Sequence, residues 1–260
     1  MLVPVVLSAL LGFSATGPSP GHTRDFLESQ LRYPRVAAAQ ASKVDGLRRM
    51  FRAANAAWPP QGVFLRAFKL EGEVELWAPR RGKRRWVRVA QWPICRSSGD
   101  LGPKRFEGDG QVPEGFYRVD RFNPVSAYHL SLGLDYPNAV DRHRAGPKRS
   151  AGSDIFVHGA CVTVGCLPMT DRVIASIYIT AVYARANGAR HLPVHIFPCR
   201  FGRKGCERAL SKHPSKRPKL RSFWKVLRRL NGVFERSGVP PMVVATSDGN
   251  YQLAGALQRP

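Results

Sequence analysis

The stretch DIFVHGACVTVGCLPMTD, residues 154–171, decides the fold. Its first residues, DIFVHG, predict a short β-strand. Because side chains alternate along a strand, Phe156 and His158 would lie on the same face. A loop over 159–169 follows and leads to a helix that the side chain of Thr170 can cap. The stretch therefore predicts a strand, a loop and a helix in succession, with His158 at the end of the strand.

The helix after the loop carries the clearest apolar stripe in the sequence. Asp171 suits its positive N-terminal end, and Asn187-Gly188 is typical of a helix end. Apolar residues recur at helical spacing and predict one buried face. They are Val173, Ile174, Ile177, Tyr178, Ala181 and Val182.

On either side of this stretch the hydrophobic period is two, which is typical of β-strands. The β-type runs are VFLRAFKL (63–70), EVELWAP (73–79), RWVRVAQWPI (85–94), FYRVDRF (116–122), AYHLSLGLDY (127–136) and LPVHIFP (192–198). Between the third and fourth runs, residues 96–115 are rich in glycine and proline and predict a loop. We therefore expect a mainly β domain with accessory helices, one of which packs on it after Cys166.

The ends of the chain differ from this central part. Residues 1–21, with an apolar run from Leu2 to Phe13, predict a secretory signal peptide; a buried N-terminal strand is the alternative. Residues 22–62 predict a helical segment in which Ser42-x-x-Asp45 resembles a capping pair. We expect the main domain over 63–199 and a basic C-terminal extension over 200–260, with an amphipathic helix from Phe223 to Phe234.

Composition limits the classes of protein. The 260 residues include 41 Lys and Arg against 18 Asp and Glu, and the net charge of +23 favours anionic partners. Hydrophobic residues make up 43%, which excludes wholesale disorder. No apolar run reaches the length of a membrane span, so an integral multi-span protein is excluded. Five cysteines are an odd number, so at least one lies outside any internal disulfide.

The residue types between His158 and Cys166 point to nucleophilic catalysis. A thiol needs a base close by, and the strand-loop-helix order can fold the His158 imidazole back onto the Cys166 sulfur. Backbone N–H groups around Gly165 and Cys166 could form an oxyanion hole. Gly159 and Gly165 give the backbone the freedom that this arrangement needs. The predicted chemistry is acyl transfer, with Cys166 as nucleophile and His158 as proton acceptor and donor.

Three other readings of the same residues stay open. A Cys-His pair can be purely structural. A zinc site could use His158, Cys161 and Cys166 with His195 or Cys199, although the spacing is loose for such a site. A Cys161–Cys166 disulfide is a third possibility and would leave no nucleophile.

Residues 154–171 resemble the active-site signature of the L,D-transpeptidase catalytic domain family (YkuD-like). They are closest to the branch in which the motif reads His-Gly-x-Cys-x-Ser-x-Gly-Cys-x-x-Met-Thr-Asp, with Thr163 at the position of the serine. Three further blocks resemble that branch in the same order: RAFKLEGEVELWA (66–78), GDGQVPEGFY (108–117) and NPVSAYHLSLGLDYPNAVDR (123–142). The resemblance covers about residues 63–199.

This resemblance implies a fold and an activity. The fold would be an L,D-transpeptidase-like β sandwich or barrel, and Cys166 would carry an acyl-enzyme on peptidoglycan stem peptides that contain meso-diaminopimelate. A backbone carbonyl, rather than Asp154, would orient His158. Gly159, Thr163, Tyr128 and Arg142 would bind substrate, with no metal or organic cofactor. These are expectations from likeness to the family.

The implied partners are peptidoglycan stem peptides and a murein-linked lipoprotein, in the periplasm or cell envelope. The same site could instead hydrolyse the bond between lipoprotein and peptidoglycan, because transferase and hydrolase share the thioester. A basic nucleic-acid-binding protein is the alternative from another class, with Trp86 or Trp224 stacking on bases. A solvated, arginine-rich face explains the charge equally well.

Overall fold

This computed structural model describes residues 20–213 and 218–255, without the side chains of 20–24. This part of the chain contains six helices and ten strands. The helices are α1 (Pro20–Leu31), α2 (Pro34–Ala53), α3 (Ala139–Ala145), α4 (Asp171–Ala186), α5 (Lys204–Lys212) and α6 (Pro218–Ser237). The strands are β1 (Phe64–Phe68), β2 (Glu73–Pro79), β3 (Trp86–Pro93), β4 (Gly115–Asn123), β5 (Ser131–Leu134), β6 (Phe156–His158), β7 (Leu167–Pro168), β8 (Pro193–Phe197), β9 (Val243–Ala245) and β10 (Tyr251–Leu253). The predicted signal peptide falls almost wholly on residues 1–19, outside the described residues.

Eight of the strands form one curled sheet in the order β3-β2-β1-β8-β4-β5-β6-β7, and β9 pairs with β10 in a separate hairpin. The pairs β1–β8 and β6–β7 are parallel, and the other pairs of the large sheet are antiparallel. The predicted mainly β fold with accessory helices is confirmed. Of the predicted site residues, His158 ends β6 and Cys166 directly precedes β7.

One face of the sheet is covered by α1, α2 and α4. In β1 the side chains of Leu65 and Ala67 point to this face, as do Val194 and Ile196 of β8, and all four are buried. The predicted stripe of α4 lies in the same core, including Tyr178, which is fully buried. Apolar burial on this scale is the main stabilising contribution to such a fold.

The opposite face of the sheet is covered by α6. Alternate residues of the same strands, such as Phe68 of β1 and Phe197 of β8, pack there against Phe223 and Leu227 of the helix. The amphipathic helix predicted from Phe223 to Phe234 is confirmed within α6, whose basic residues lie on its exposed side. Because both faces are covered, β1 is buried along its whole length and β8 along nearly all of it.

His195 of β8 and Trp224 of α6 are part of this second core. The His195 ring packs edge-on against Phe64 and Phe116, and burial lowers its pKa to about 3, so it is neutral. Trp224 is 4% exposed, and its indole N–H donates to Glu114 at 2.8 Å. Neither ring is available to a metal or to a nucleic-acid base, so the predicted base-stacking role of Trp224 is wrong.

The capping pair predicted at Ser42 and Asp45 is also wrong. Helix α2 begins earlier, at Pro34, where the fixed backbone angle of proline suits the first turn. Ser42 therefore lies inside the helix, where its hydroxyl donates to the carbonyl of Ala39 at 3.2 Å. None of the described helices combines the length and hydropathy needed to cross a bilayer.

Candidate active site

Strands β6 and β7 place His158 and Cys166 on the same face of the sheet. The two strands run parallel, with His158 opposite Pro168. Two residues before His158, the Phe156 N–H donates to Cys166 Sγ at 3.4 Å. Since side chains alternate along a strand, the imidazole and the sulfur project from the same side. The fold thus brings together the two residues that the sequence predicted, although none of their hydrogen bonds joins one to the other.

Cys166 is a half-buried, protonated thiol. Its sulfur accepts from the Phe156 N–H and lies 3.6 Å from the carbonyl oxygen of Asp154, to which the S–H donates. Burial raises the pKa of the thiol above its usual value of 9.0, and the Phe156 N–H offsets only part of this effect. Cys166 lines a cavity of about 230 Å³, together with Leu167 and Val112.

His158 is a buried, neutral imidazole. Its Nδ1 lies 2.6 Å from the carbonyl oxygen of Gly159, and because a carbonyl only accepts, Nδ1 carries the proton and Nε2 keeps its lone pair. Burial lowers the pKa of His158 below 6.5, against the opposing effect of the Gly159 hydrogen bond. A carbonyl thus orients the ring, as the resemblance implied, while the side chain of Asp154 pairs with Arg121 at 2.9 Å.

The backbone N–H groups predicted to form an oxyanion hole are held by Thr163. Its Oγ1 accepts from the N–H of Gly165 at 3.2 Å and of Cys166 at 2.8 Å, and the hydroxyl donates to the Cys166 carbonyl at 2.9 Å. In this structure the two amides therefore point to the threonine hydroxyl. The sequence placed Thr163 among the substrate-binding residues and gave no sign of this contact.

Both predicted glycines occupy positions that exclude a side chain. Gly165 has φ +130°, and a Cβ there would lie 3.0 Å from the carbonyl oxygen of Gln111. At Gly159 a Cβ would lie 2.8 Å from the carbonyl oxygen of Tyr128 and would overlap the Asp171 carboxylate. The loop between His158 and Cys166 therefore packs closely against neighbouring backbone at both ends.

Asp171 and a disulfide anchor this loop. The Asp171 carboxylate accepts from the N–H of Ala160 at 2.8 Å, and Cys161 is bonded to Cys95 at the end of β3. Ala160 and Cys161 have φ of +65° and +39°, a region that non-glycine residues rarely adopt. The sequence placed Asp171 only at the start of a helix, and its contact with the loop was missed.

Tyr128 lies at the site, whereas the structure does not bring Arg142 to Cys166. The half-exposed Tyr128 ring packs on the His158 ring with 4.8 Å between centroids. Arg35 of α2 donates to the carbonyl of Ser126 at 2.6 Å and so holds the turn that leads to Tyr128. Arg142 is exposed in α3, and its guanidinium bonds the carbonyl of Pro137.

All five cysteines are among the described residues, and only Cys166 is unbridged. The others form Cys95–Cys161 and Cys199–Cys206. The predicted Cys161–Cys166 disulfide is therefore wrong. Cys161 and Cys199 are bridged and are not available as zinc ligands. Within the described residues, no three His, Cys, Asp or Glu side chains are grouped so that they could hold a metal ion.

The candidate site consists of a neutral cysteine and histidine on a curled, mainly β domain, and comparison of the whole sequence with known proteins assigns the chain to a family. The chain is 31% identical over 197 residues to a curated relative, and the alignment covers 75% of both proteins. It therefore belongs to the L,D-transpeptidase family.

That relative is "Putative L,D-transpeptidase YafK" of Escherichia coli strain K12, and the protein of the same name in Escherichia coli O157:H7 is similar to the same extent. No family model matches the chain. Two solved structures are similar at lower levels. The helical cell shape determining protein Pgp2 of Campylobacter jejuni is 17% identical, with a TM-score of 0.42, and 71% of this chain and 73% of that chain are covered. Bd1075 of Bdellovibrio bacteriovorus is 21% identical, with a TM-score of 0.37 and coverages of 60% and 56%. The family assignment rests on the sequence relative alone.

Proposed function

We propose that the protein is a peptidoglycan L,D-transpeptidase that acts through a Cys166 thioester on stem peptides containing meso-diaminopimelate. The proposal rests on one observation: a histidine with a free Nε2 lone pair and a cysteine that lines a cavity project from the same face of β6 and β7. The YafK relative, named as an L,D-transpeptidase, supports the choice of substrate.

The reaction follows from the protonation states of the pair. When a stem-peptide carbonyl enters the cavity, Cys166 Sγ attacks it and His158 Nε2 takes the thiol proton. The C–N bond then breaks, and His158 gives the same proton to the leaving amine. The product is a thioester on Cys166.

A second nucleophile then releases the acyl group. An amine of another stem would give a crosslink, an amine of a lipoprotein would give lipoprotein attachment, and water would give hydrolysis. A hydrolase that releases lipoprotein from peptidoglycan therefore uses the same residues. In both cases the tetrahedral oxyanion needs donors, and we propose the Gly165 and Cys166 N–H groups, turned from Thr163 toward the substrate. Gly159 and Tyr128 would line the substrate side of His158, and Arg142 would act further away.

The cell envelope is the proposed location. Two disulfides among the described residues favour an oxidising compartment such as the periplasm. The signal peptide over 1–21 and the partition into a helical segment (22–62), a catalytic domain (63–199) and a basic extension (200–260) belong to the same proposal. All residues of the mechanism lie within 63–199.

Mass spectrometry of the protein after incubation with muropeptides tests the proposal. We expect an acyl adduct on Cys166 that disappears in Cys166→Ala and in His158→Ala. His191→Ala, at an exposed histidine, is the matched control and should form the adduct normally. An adduct that forms equally well without His158 would contradict the assigned base, and no adduct on the native protein would contradict the proposed function.

A further inference from the structure

A second, larger depression lies beside the Cys166 cavity. Its volume is about 1110 Å³, the size of a site for a ligand of several residues. The loop before β4, the end of α3, the start of α6 and the β9–β10 turn form its walls. We call it the basic groove, defined by Arg105, Arg144, Arg149, Lys219, Asp109 and Asp248.

The basic groove is directly connected to the site. Leu101 lines both the groove and the cavity at Cys166. Gln111 also lines the groove, and its carbonyl oxygen packs against Gly165, next to the sulfur. A ligand in the groove would therefore reach the immediate surroundings of the thioester.

Three cations of the groove, Arg144, Arg149 and Lys219, form no salt bridge among the described residues. Arg144 donates to two neutral groups, the carbonyl of Gly249 at 2.8 Å and the side chain of Asn250, and its guanidinium packs on the Phe223 ring at 4.1 Å. Within the described part of the chain, neither Arg149 nor Lys219 forms an ion pair. Burial lowers the pKa of Arg144, and the positive charge of Arg105 adds to this effect, so a bound anion would relieve like-charge repulsion.

The carboxylates of the groove are already occupied. Asp109 pairs with Lys104 at 2.7 Å and accepts from the N–H of Arg105 at 2.6 Å. Asp248 accepts from the side chains of Thr246 and Asn250 within its own turn. The net positive charge of the groove is therefore available to a ligand from outside the chain.

The two acidic side chains and the rings of the groove favour carboxylates over a phosphate chain. Asp109 and Asp248 would repel a continuous phosphate backbone but tolerate a peptide with separate charges. The Phe106 ring is 39% exposed, with the Arg149 guanidinium 5.2 Å from its centroid, and Trp224 is buried on the inner side of α6. Phe106 by itself is not the series of exposed rings on which successive bases stack.

We propose that the basic groove binds the carboxylates of a second stem peptide while Cys166 holds the first. This inference rests on the proposed function, and it assigns Arg144, Arg149 and Lys219 to binding of that second peptide. The groove lies partly on α3, α6 and the β9–β10 turn, so these elements would select the substrate.

Binding of a labelled disaccharide-tetrapeptide to full-length Cys166→Ala protein, followed by fluorescence anisotropy at 150 mM salt, tests the proposal. Adding Arg149→Glu and Lys219→Glu should weaken binding at least tenfold. Lys83→Glu with Arg84→Glu, at two exposed cations of the β2–β3 turn, makes the same change in net charge and should alter affinity less than twofold. The muropeptide with amidated carboxyl groups should bind weakly to all three proteins.

Equal loss of affinity in the groove and turn variants would overturn the proposal, because only net charge would then matter. An oligothymidylate that binds the groove more tightly than the muropeptide would also overturn it, in favour of a phosphate polymer. Acyl-adduct formation by the native protein decides the proposed function separately. If the adduct forms while groove binding fails, only the groove assignment falls.

Discussion

Cys166 and His158 are both held in their uncharged forms, because burial raises the pKa of the thiol and lowers that of the imidazole. An ion pair of thiolate and imidazolium is thus disfavoured before substrate enters. In the proposed mechanism, proton transfer to His158 Nε2 would accompany attack on the carbonyl, so the base, and not a preformed thiolate, would generate the nucleophile. The protonation state of the pair therefore determines how reactive the Cys166 thiol is in the absence of substrate.

Alkylation by iodoacetamide should report the protonation state of Cys166. The rate should rise with pH and level off only above pH 9, since the thiolate is the reacting form and burial raises the pKa above 9.0. Mass spectrometry across pH 6–10, with glutathione as the reference thiol, measures it. A plateau below pH 8 that is lost in His158→Ala would contradict the uncharged pair.

Thr163 should be sensitive to removal of its hydroxyl. Thr163→Val keeps the shape but removes the hydroxyl that bonds the Gly165 and Cys166 N–H groups and the Cys166 carbonyl and so holds the turn before the sulfur. We expect adduct formation to slow about tenfold, because Cys166 would be held less precisely, and stability to fall by about 1–2 kcal/mol. Thr163→Ser keeps the hydroxyl and is the matched control. The readouts are the adduct rate and thermal unfolding, and normal behaviour of Thr163→Val would show that the contact is incidental.

At the scale of single residues, the sequence was sufficient to place His158 and Cys166 near each other, because strand alternation and the strand-loop-helix order position both. The sequence did not predict the contacts that Thr163 and Asp171 make with the loop. Their contacts depend on how the 159–165 loop turns back on itself, with φ above zero at Ala160 and Cys161, and no hydrophobic period encodes that path.

At the scale of elements, the loop between β6 and β7 is held at two points. The Cys95–Cys161 bridge ties it to the end of β3, and the first turn of α4 ties it through Asp171. These anchors keep two non-glycine residues in a left-handed conformation that costs roughly 1 kcal/mol or more for each. Loss of an anchor should therefore change the site before it changes the fold.

Removal of the Cys95–Cys161 bridge tests this anchoring. Cys95→Ser with Cys161→Ser should slow adduct formation at least tenfold, and because the bridge spans 66 residues it should also cost about 4 kcal/mol of stability. Cys199→Ser with Cys206→Ser removes a bridge that spans 7 residues, should cost about 2 kcal/mol and should leave the adduct rate within twofold. Equal adduct rates in the two variants would show that the bridge does not position the loop.

Strands β1, β2, β3, β4 and β8 could be placed from the sequence, since their runs have clear apolar character and turn signals on either side. The two-residue strand β7 could not, because Leu167-Pro168 is too short to show a period. Its pairing with β6 is nevertheless what sets Cys166 beside Phe156. The start of α2 was misplaced because Pro34, a stronger start signal than Ser42, was overlooked.

At the scale of the whole molecule, α6 is part of the folded core as well as a basic surface. Its apolar residues cover the sheet face formed by Phe68, Phe116 and Phe197, and its Trp224 binds the buried Glu114. Glu114 in turn accepts from the N–H of Gly102 at 2.7 Å, in the loop that leads to the groove. The helix thereby links the C-terminal part of the chain to the site.

Leu227→Ala should show this contribution. Leu227 is fully buried in α6, so the loss of apolar contact and the resulting cavity should cost about 2–5 kcal/mol. Arg229→Ala, at an exposed position of the same helix, should change stability by less than about 0.5 kcal/mol. Urea unfolding measures both, and equal stability of the two variants would mean that α6 is dispensable for the fold.

The burial of Cys166 has a further consequence for how the chain acquires its two bridges. Thiol–disulfide exchange requires a thiolate, and in the folded chain burial raises the pKa of Cys166 and keeps its sulfur protonated. Once the sheet has closed around it, the fifth sulfur is therefore a poor competitor for the four that are paired in the two bridges. Burial of one thiol thus protects both completed bridges from rearrangement.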